Sequence, residues 1–220
     1  MRRFLILAHR VPPRGEFTLN DLAGGAGRMD EVARAVSTAF TLSNDLRRDT
    51  EVSVAFVAEP PPATRRIDLS GARLRYLNPD ERSTAALLKN ALTRAAEFPA
   101  AFESSPGLRV GPADPVSLLR EFLALPGAVW LTEEGQPLSS WTPASDDMAA
   151  VVSDPYDPSA EERRLLEESG VPRLSVGPRS LRTSQVIDAV HRELDLREAA
   201  ARRGRRPNGR PSATRLGSAA

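Results

Sequence analysis

The sequence predicts an α/β fold with a largely parallel sheet, because strand-like apolar runs alternate with helical patterns along the chain. The runs 4–8 and 149–152 are apolar at every position, as expected of strands covered on both faces. Three short runs near the C-terminus end in loop-forming residues, at Leu131-Thr132, Ser153-Asp154 and Val176-Gly177-Pro178. In open α/β sheets, ligands sit at such carboxyl ends of strands.

The elements follow in order. Residues 4–8 read as a buried first strand, followed by a Pro-, Gly- and Asn-bearing loop to about residue 20. Gly24-Gly25-Ala26-Gly27 leads into a helix whose apolar stripe is Val32, Val36, Ala39, Phe40 and Leu42. Residues 52–58 form a second strand that stops at the proline run 60–62. Residues 67–69 and 74–76 read as a hairpin. Asn78-Pro79-Asp80-Glu81-Arg82-Ser83 starts a helix of good formers, with proline and acids suited to its positive end. Residues 104–110 read as a loop with a short extended end, and 116–125 as a short helix. A strand at 128–131, a turn at 133–137 and a strand at 149–152 come next. A helix at 159–169, a short strand at 173–176 and a closing helix at 181–196 complete the pattern.

Composition excludes several function classes. With 40% hydrophobic and 27% charged residues, the 220-residue chain is ordinary for a globular protein. No apolar run approaches the roughly 20 residues needed to span a bilayer. The apolar stretch after Met1-Arg2-Arg3 is too short for a signal peptide, so a cytoplasmic location is expected. There are no cysteines, and the two histidines, His9 and His191, lack carboxylates at metal-ligand spacing, so no metal is expected. Residues 197–220 carry seven arginines against one acid, a net +6 within an overall +1, which leaves the other 196 residues at −5. This tail reads as a disordered basic extension, or as an arm that binds RNA phosphates by counterion release.

No G-x-x-x-x-G-K-[ST] loop is present, which removes P-loop chemistry. The glycine-rich 24–27 segment does not directly follow a strand, as a dinucleotide fingerprint should. It reads equally as a turn that needs positive φ. Neither histidine lies near a Gly-x-Ser-x-Gly elbow.

The stretch Arg75-Tyr76-Leu77-Asn78-Pro79-Asp80-Glu81-Arg82-Ser83-Thr84-Ala85-Ala86-Leu87 closely resembles a signature of the archaeal tRNA pseudouridine-54 N1-methyltransferases, members of the SPOUT superfamily. Gly25-Ala26-Gly27-Arg28-Met29-Asp30 with Phe40-Thr41-Leu42-Ser43 resembles their N-terminal motif. Leu174-Ser175-Val176-Gly177-Pro178 with His191-Arg192-Glu193-Leu194-Asp195 resembles their C-terminal segment. The likeness covers about residues 1–196. It implies a SPOUT-type parallel-rich sheet flanked by helices, with a C-terminal deep trefoil knot in the segment 126–196. It also implies a homodimer packed through the knot helices. The implied cofactor is S-adenosyl-L-methionine, held by Leu131, Ser153, Val176, Gly177, Pro178, Arg179, Ser180, Leu181 and Val186. Two of these depart from the family pattern: glycine is common at the Ser153 position and cysteine at the Val186 position.

The implied reaction is methylation of pseudouridine N1 in RNA, with tRNA the expected partner. Pseudouridine joins ribose through carbon, so N1 keeps a proton that must be removed or shared before the nitrogen attacks. Positioning should supply much of the acceleration, with a carboxylate taking the proton. Asp80 is the candidate base or base-orienter, and Arg28, Asp30 and Arg82 the candidate substrate contacts. Simpler roles stand beside these. Asp80 and Glu81 suit a helix start, Arg28 and Arg82 suit salt bridges with neighbouring acids, and His9 suits a structural cap on the first strand. Trp130 and Trp141 suit packing. The alternatives to an active enzyme are a catalytically silent RNA-binding SPOUT protein and an unrelated α/β transferase.

Overall fold

The computed structural model describes residues 1–57, 64–98, 100–143, 145 and 147–204. The proline run 60–62 and most of the basic tail lie outside the described residues. The strands are β1 (Arg2–Ala8), β2 (Thr50–Phe56), β3 (Arg65–Ser70), β4 (Phe102–Ser105), β5 (Leu108–Pro112), β6 (Ala128–Pro137), β7 (Met148–Ser153) and β8 (Arg173–Ser175). The helices are α1 (Met29–Phe40), α2 (Glu81–Glu97), α3 (Pro115–Leu123), α4 (Ala160–Glu168) and α5 (Thr183–Gly204).

All eight strands join one sheet in the order β4-β5-β3-β2-β1-β7-β6-β8. From β2 to β8 the pairings are parallel, while β3, β5 and β4 extend it antiparallel. The apolar run of β1 accounts for its central place. Phe4 and Ile6 face a core shared with α1, α2 and α5, and Leu5 and Leu7 face a second core under α3 and α4. A strand buried on both faces needs helices on both sides, which gives the three layers.

Four expectations are corrected: the strand at 74–76, the loop at 104–110, the end of the closing helix, and the turn at 133–137, through which β6 continues. Residues 74–76 form no strand, because the chain after β3 turns tightly, with the Arg73 and Leu74 N–H groups both donating to the Ser70 carbonyl. Of these three residues only Leu74 is buried, and Tyr76 is 67% exposed. The partner of β3 is instead β5, from the segment read as a loop. Pro106-Gly107, with Gly107 at φ 78°, turns β4 into β5. The closing helix also runs eight residues past 196, to Gly204. Arg2 anchors it: Nη1 stands 2.7 Å from Asp195 Oδ1, and Nη2 3.6 Å from Glu198 Oε2. His191 completes this anchor. Burial pushes its pKa down to about 3, and the nearby Arg47 and Arg2 charges add to this. The neutral ring donates from Nε2 to the Ala39 carbonyl and accepts from Arg2 at Nδ1.

β6 does not end at Leu131. Leu131 pairs with Leu174 of β8, and five residues later Gln136 pairs with Leu174 again. The chain between them crosses β8 at Gly135, where a Cβ would lie 2.4–2.6 Å from three backbone atoms of Leu174. Only glycine fits this crossing. Gly177, by contrast, has open space where a Cβ would go. We expect Gly135→Ala to destabilise the protein by at least about 3 kcal/mol, since backbone cannot yield as a side chain can. Gly177→Ala should stay within about 0.5 kcal/mol. Thermal denaturation of the two variants checks this, and equal melting temperatures would refute the crossing.

Candidate active site

The middle of β6 and the carboxyl ends of β7 and β8 open into a cleft of about 650 Å³, a size suited to a cofactor. Its walls are the β6 crossing at 131–134, the turn after β7 at 152–158, and the segment 174–183 between β8 and α5. Leu131, Val152, Leu174, Val176 and Val186 give an apolar lining. Charged groups surround it, among them Arg28, Glu31, Arg163, Arg179 and Arg182.

Of the expected cofactor residues, Leu131, Ser153, Val176, Gly177, Arg179, Ser180, Leu181 and Val186 lie on this wall. Pro178 belongs to the same loop without lining the cleft. The loop is held by short-range bonds. Ser175 Oγ donates to the Gly177 carbonyl at 2.7 Å and accepts from its N–H at 3.2 Å. Ser153 Oγ donates to the Tyr156 carbonyl at 2.7 Å, and its own carbonyl accepts from Thr183 Oγ1 at 2.6 Å, tying β7 to the start of α5. Both family departures, Ser153 and Val186, thus keep their places in the wall.

The substrate-side candidates spread more widely. Arg28 stands at the cleft, in the left-handed conformation at φ 69°, alone in this among the described non-glycine residues. Its guanidinium forks onto Asp30 with two bonds of 2.9 Å. Burial opposes charge on Asp30, yet the Arg28 pair holds its carboxyl below the usual range. Gly27, at φ 62°, sets up this turn, and a Cβ there would meet the Arg10 carbonyl at 1.9 Å. Asp80 and Arg82 do not line the cleft. Asp80 caps α2 by accepting the Ser83 N–H at 2.7 Å, and this bond lowers its pKa. Arg82 donates to the Leu19 carbonyl and Asn20 Oδ1. Trp130 is buried with Arg173 stacked 4.8 Å over its ring, as packing requires.

Three features escaped sequence reasoning. His9 is bracketed by two buried carboxylates, with Nδ1 3.0 Å from Asp154 Oδ1 and Nε2 2.9 Å from Glu162 Oε2. Burial lowers its pKa, but the two carboxylates outweigh this and raise it to about 9, so the ring is an imidazolium at neutral pH. Asp154 Oδ1 also accepts the Tyr156 N–H, fixing the cleft turn, while Glu162 closes a capping box with Ser159 on α4. Residues more than 140 positions apart make this cluster, so no local spacing announces it. Glu31, in an ordinary acid-rich first turn of a helix, lies on the cleft wall, and so does Arg182. Among the described residues, no group of three or more His, Asp or Glu side chains could hold a metal ion, and no helix is long and apolar enough to cross a membrane.

A histidine raised to about 9 stabilises the fold fully below its unfolded value near 6.5, and that contribution disappears as pH rises through 9. Thermal melting points should therefore fall between about pH 6.5 and 9 in the unaltered protein, the span in which the folded state keeps a proton that the unfolded state has lost. His9→Ala, which strands two buried carboxylates, should cost about 3 kcal/mol at pH 7 and flatten this dependence. A His9→Ala protein with an unchanged alkaline profile would contradict the assignment.

A family described as putative SAM-dependent RNA methyltransferase matches residues 1–199. Similar proteins include the tRNA (pseudouridine(54)-N(1))-methyltransferase of Methanocella arvoryzae, 38% identical over 198 residues, covering 90% of this chain and all of the relative. That of Methanosarcina mazei is 38% identical over 209 residues, covering 95% and 97%. In fold, the chain is similar to Archaeoglobus fulgidus Nep1 bound to S-adenosylhomocysteine, with a TM-score of 0.58 at 15% identity, covering 90% of this chain and 99% of that one.

Proposed function

Because the chain belongs to the family of putative SAM-dependent RNA methyltransferases, we propose that it transfers a methyl group from S-adenosyl-L-methionine to N1 of pseudouridine in tRNA. The observation that carries this reading is the cleft between the middle of β6 and the ends of β7 and β8, whose wall collects Leu131, Ser153, Val176, Gly177, Arg179, Ser180, Leu181 and Val186. The relatives, named as tRNA pseudouridine-54 N1-methyltransferases, support the substrate.

The residues present suit the cofactor. Leu131, Val176 and Val186 offer an apolar slot for an adenine and a thioether, and backbone groups of the 176–181 loop can bond the adenine edge. Arginines and carboxylates at the rim can take its amino-acid end. Bound S-adenosylmethionine supplies an electrophilic methyl carbon on its sulfonium. The protein's part is to hold N1 of the target base in line with that carbon and to provide for its proton. Arg28, with Asp30 fixing its fork, and Arg82 on the neighbouring turn are the substrate-side contacts of this reading. Asp80, at the head of α2, takes or orients the N1 proton.

The crossing of β6 over β8 supports a trefoil knot in segment 126–196. A homodimer through the knot helices and a cytoplasmic place complete the reading, as does an arginine-rich C-terminal tail that takes RNA phosphates. In the source organism, deleting the gene should abolish N1-methylpseudouridine from digested tRNA while leaving pseudouridine itself in place. Unchanged N1-methylpseudouridine in tRNA, read by mass spectrometry, would refute the substrate.

A further inference from the structure

Glu31 is buried in the cleft wall, with 3% of its surface exposed. One of its oxygens faces three guanidinium groups. Oε1 accepts from Arg28 Nη2 and Arg34 Nη1, both at 2.9 Å, and stands 3.7 Å from Arg182 Nε. The other oxygen, Oε2, is buried without a donor. Leaving a buried polar atom unpaired costs on the order of 1–3 kcal/mol. Such an atom beside a cleft is an open acceptor that an incoming donor can satisfy.

Of the three arginines, Arg28 and Arg182 line the cleft from different segments, and Arg34 stands along α1 beside it. Arg28 lies in the left-handed turn before α1, a strained conformation that persists only where the surroundings enforce it. Arg34 reaches from α1 to Glu81 at the head of α2, at 2.6 Å. Arg182 ends the loop that carries Val176–Leu181, and its side chain is 64% exposed. At 3.7 Å from Oε1 its approach to Glu31 is an ion pair beyond hydrogen-bond reach, and a shift of about 1 Å would bring it into hydrogen-bond reach of this carboxylate.

We propose that Glu31 is the positioning residue of the substrate side. It holds Arg28 in place, and it captures Arg182 through Oε2 when the 176–182 loop closes on its ligand. The two guanidinium groups then present their remaining N–H groups to the anionic RNA together, and only when the cofactor is in place. This role rests on the methyltransferase reading.

The test uses the full chain, S-adenosylhomocysteine and a tRNA arm carrying pseudouridine. Glu31→Gln keeps the side chain's size and removes its charge. It should lower kcat/KM for the RNA roughly tenfold and leave S-adenosylhomocysteine affinity within about twofold. In the unaltered protein S-adenosylhomocysteine should tighten RNA binding, and Glu31→Gln should lose that gain. Adding Arg182→Gln to Glu31→Gln should cost less than Arg182→Gln costs alone, because the two changes share one interaction. Glu31→Asp should recover part of the loss.

A bystander carboxylate predicts the opposite sign, since removing a negative charge favours an anionic ligand. An unchanged or raised kcat/KM would therefore overturn the role. So would a joint loss of cofactor affinity and melting temperature, which would make Glu31 a packing residue. If the unaltered protein fails to bind S-adenosylhomocysteine, the methyltransferase reading falls and this role with it. If the unaltered protein is active and Glu31→Gln is indifferent, only this role falls.

Discussion

The geometry of the cleft depends on the place where β6 crosses β8 at Leu174. Leu131 and Gln136 both pair with that residue, and Gly135 lies against its backbone. The crossing puts 131–134 on one wall and starts the 176–182 loop on another, so two walls of the cleft come from a single contact. The third wall, the turn after β7, is joined to α5 through the Ser153 carbonyl and Thr183 Oγ1. Every segment lining the cavity is thus tied to another lining segment within a few residues. A site built this way is preorganised by the backbone, and its apolar floor can vary without losing shape. This lets serine at 153 and valine at 186 line the wall without altering its shape.

Charge is handled by clusters rather than by isolated pairs. The His9 imidazolium sits between Asp154 and Glu162, and two carboxylates raise its pKa against the opposing effect of burial. The cluster links the ends of β1 and β7 to the start of α4, and so holds the 153–158 turn. At the far end of the sheet, Arg2 joins Asp195, Glu198 and a neutral His191, docking α5 across β1. The two histidines have opposite charge states at neutral pH because their partners differ: carboxylates for one, an arginine and a carbonyl for the other.

The fold was legible where the physics is local. The continuous apolar runs 4–8 and 149–152 reported strands buried on both faces, and the Asn78–Ser83 segment reported a helix start that Asp80 caps. The failures have physical reasons. Leu74-Arg75-Tyr76 alternates like a strand, yet the turn from Ser70 leaves it no strand partner among the described residues. Pro106-Gly107 was the turn signal that should have marked β4 and β5 as a hairpin. The helix past 196 is fixed partly by Arg2, nearly two hundred residues away, which arginine-rich composition cannot report. In the site, the loop residues were legible through a family likeness, because backbone-built pockets leave sequence strings. Glu31 was not, because an acid in the first turn of a helix is ordinary and Arg182 reaches it from a distant segment; His9 was legible only as a cap on its strand, because both of its carboxylate partners lie more than 140 residues away.

The central claim is that the cleft brings a methyl donor to N1 of pseudouridine, and purified protein can test it in one reaction. Isotopically labelled S-adenosylmethionine is incubated with two tRNA arms that differ only in pseudouridine or uridine at one position, and the nucleosides are then identified by mass spectrometry. The account predicts label on N1 of the pseudouridine and none on the uridine arm, whose N1 is blocked by the glycosidic bond. Label on both arms, or on neither, would contradict it.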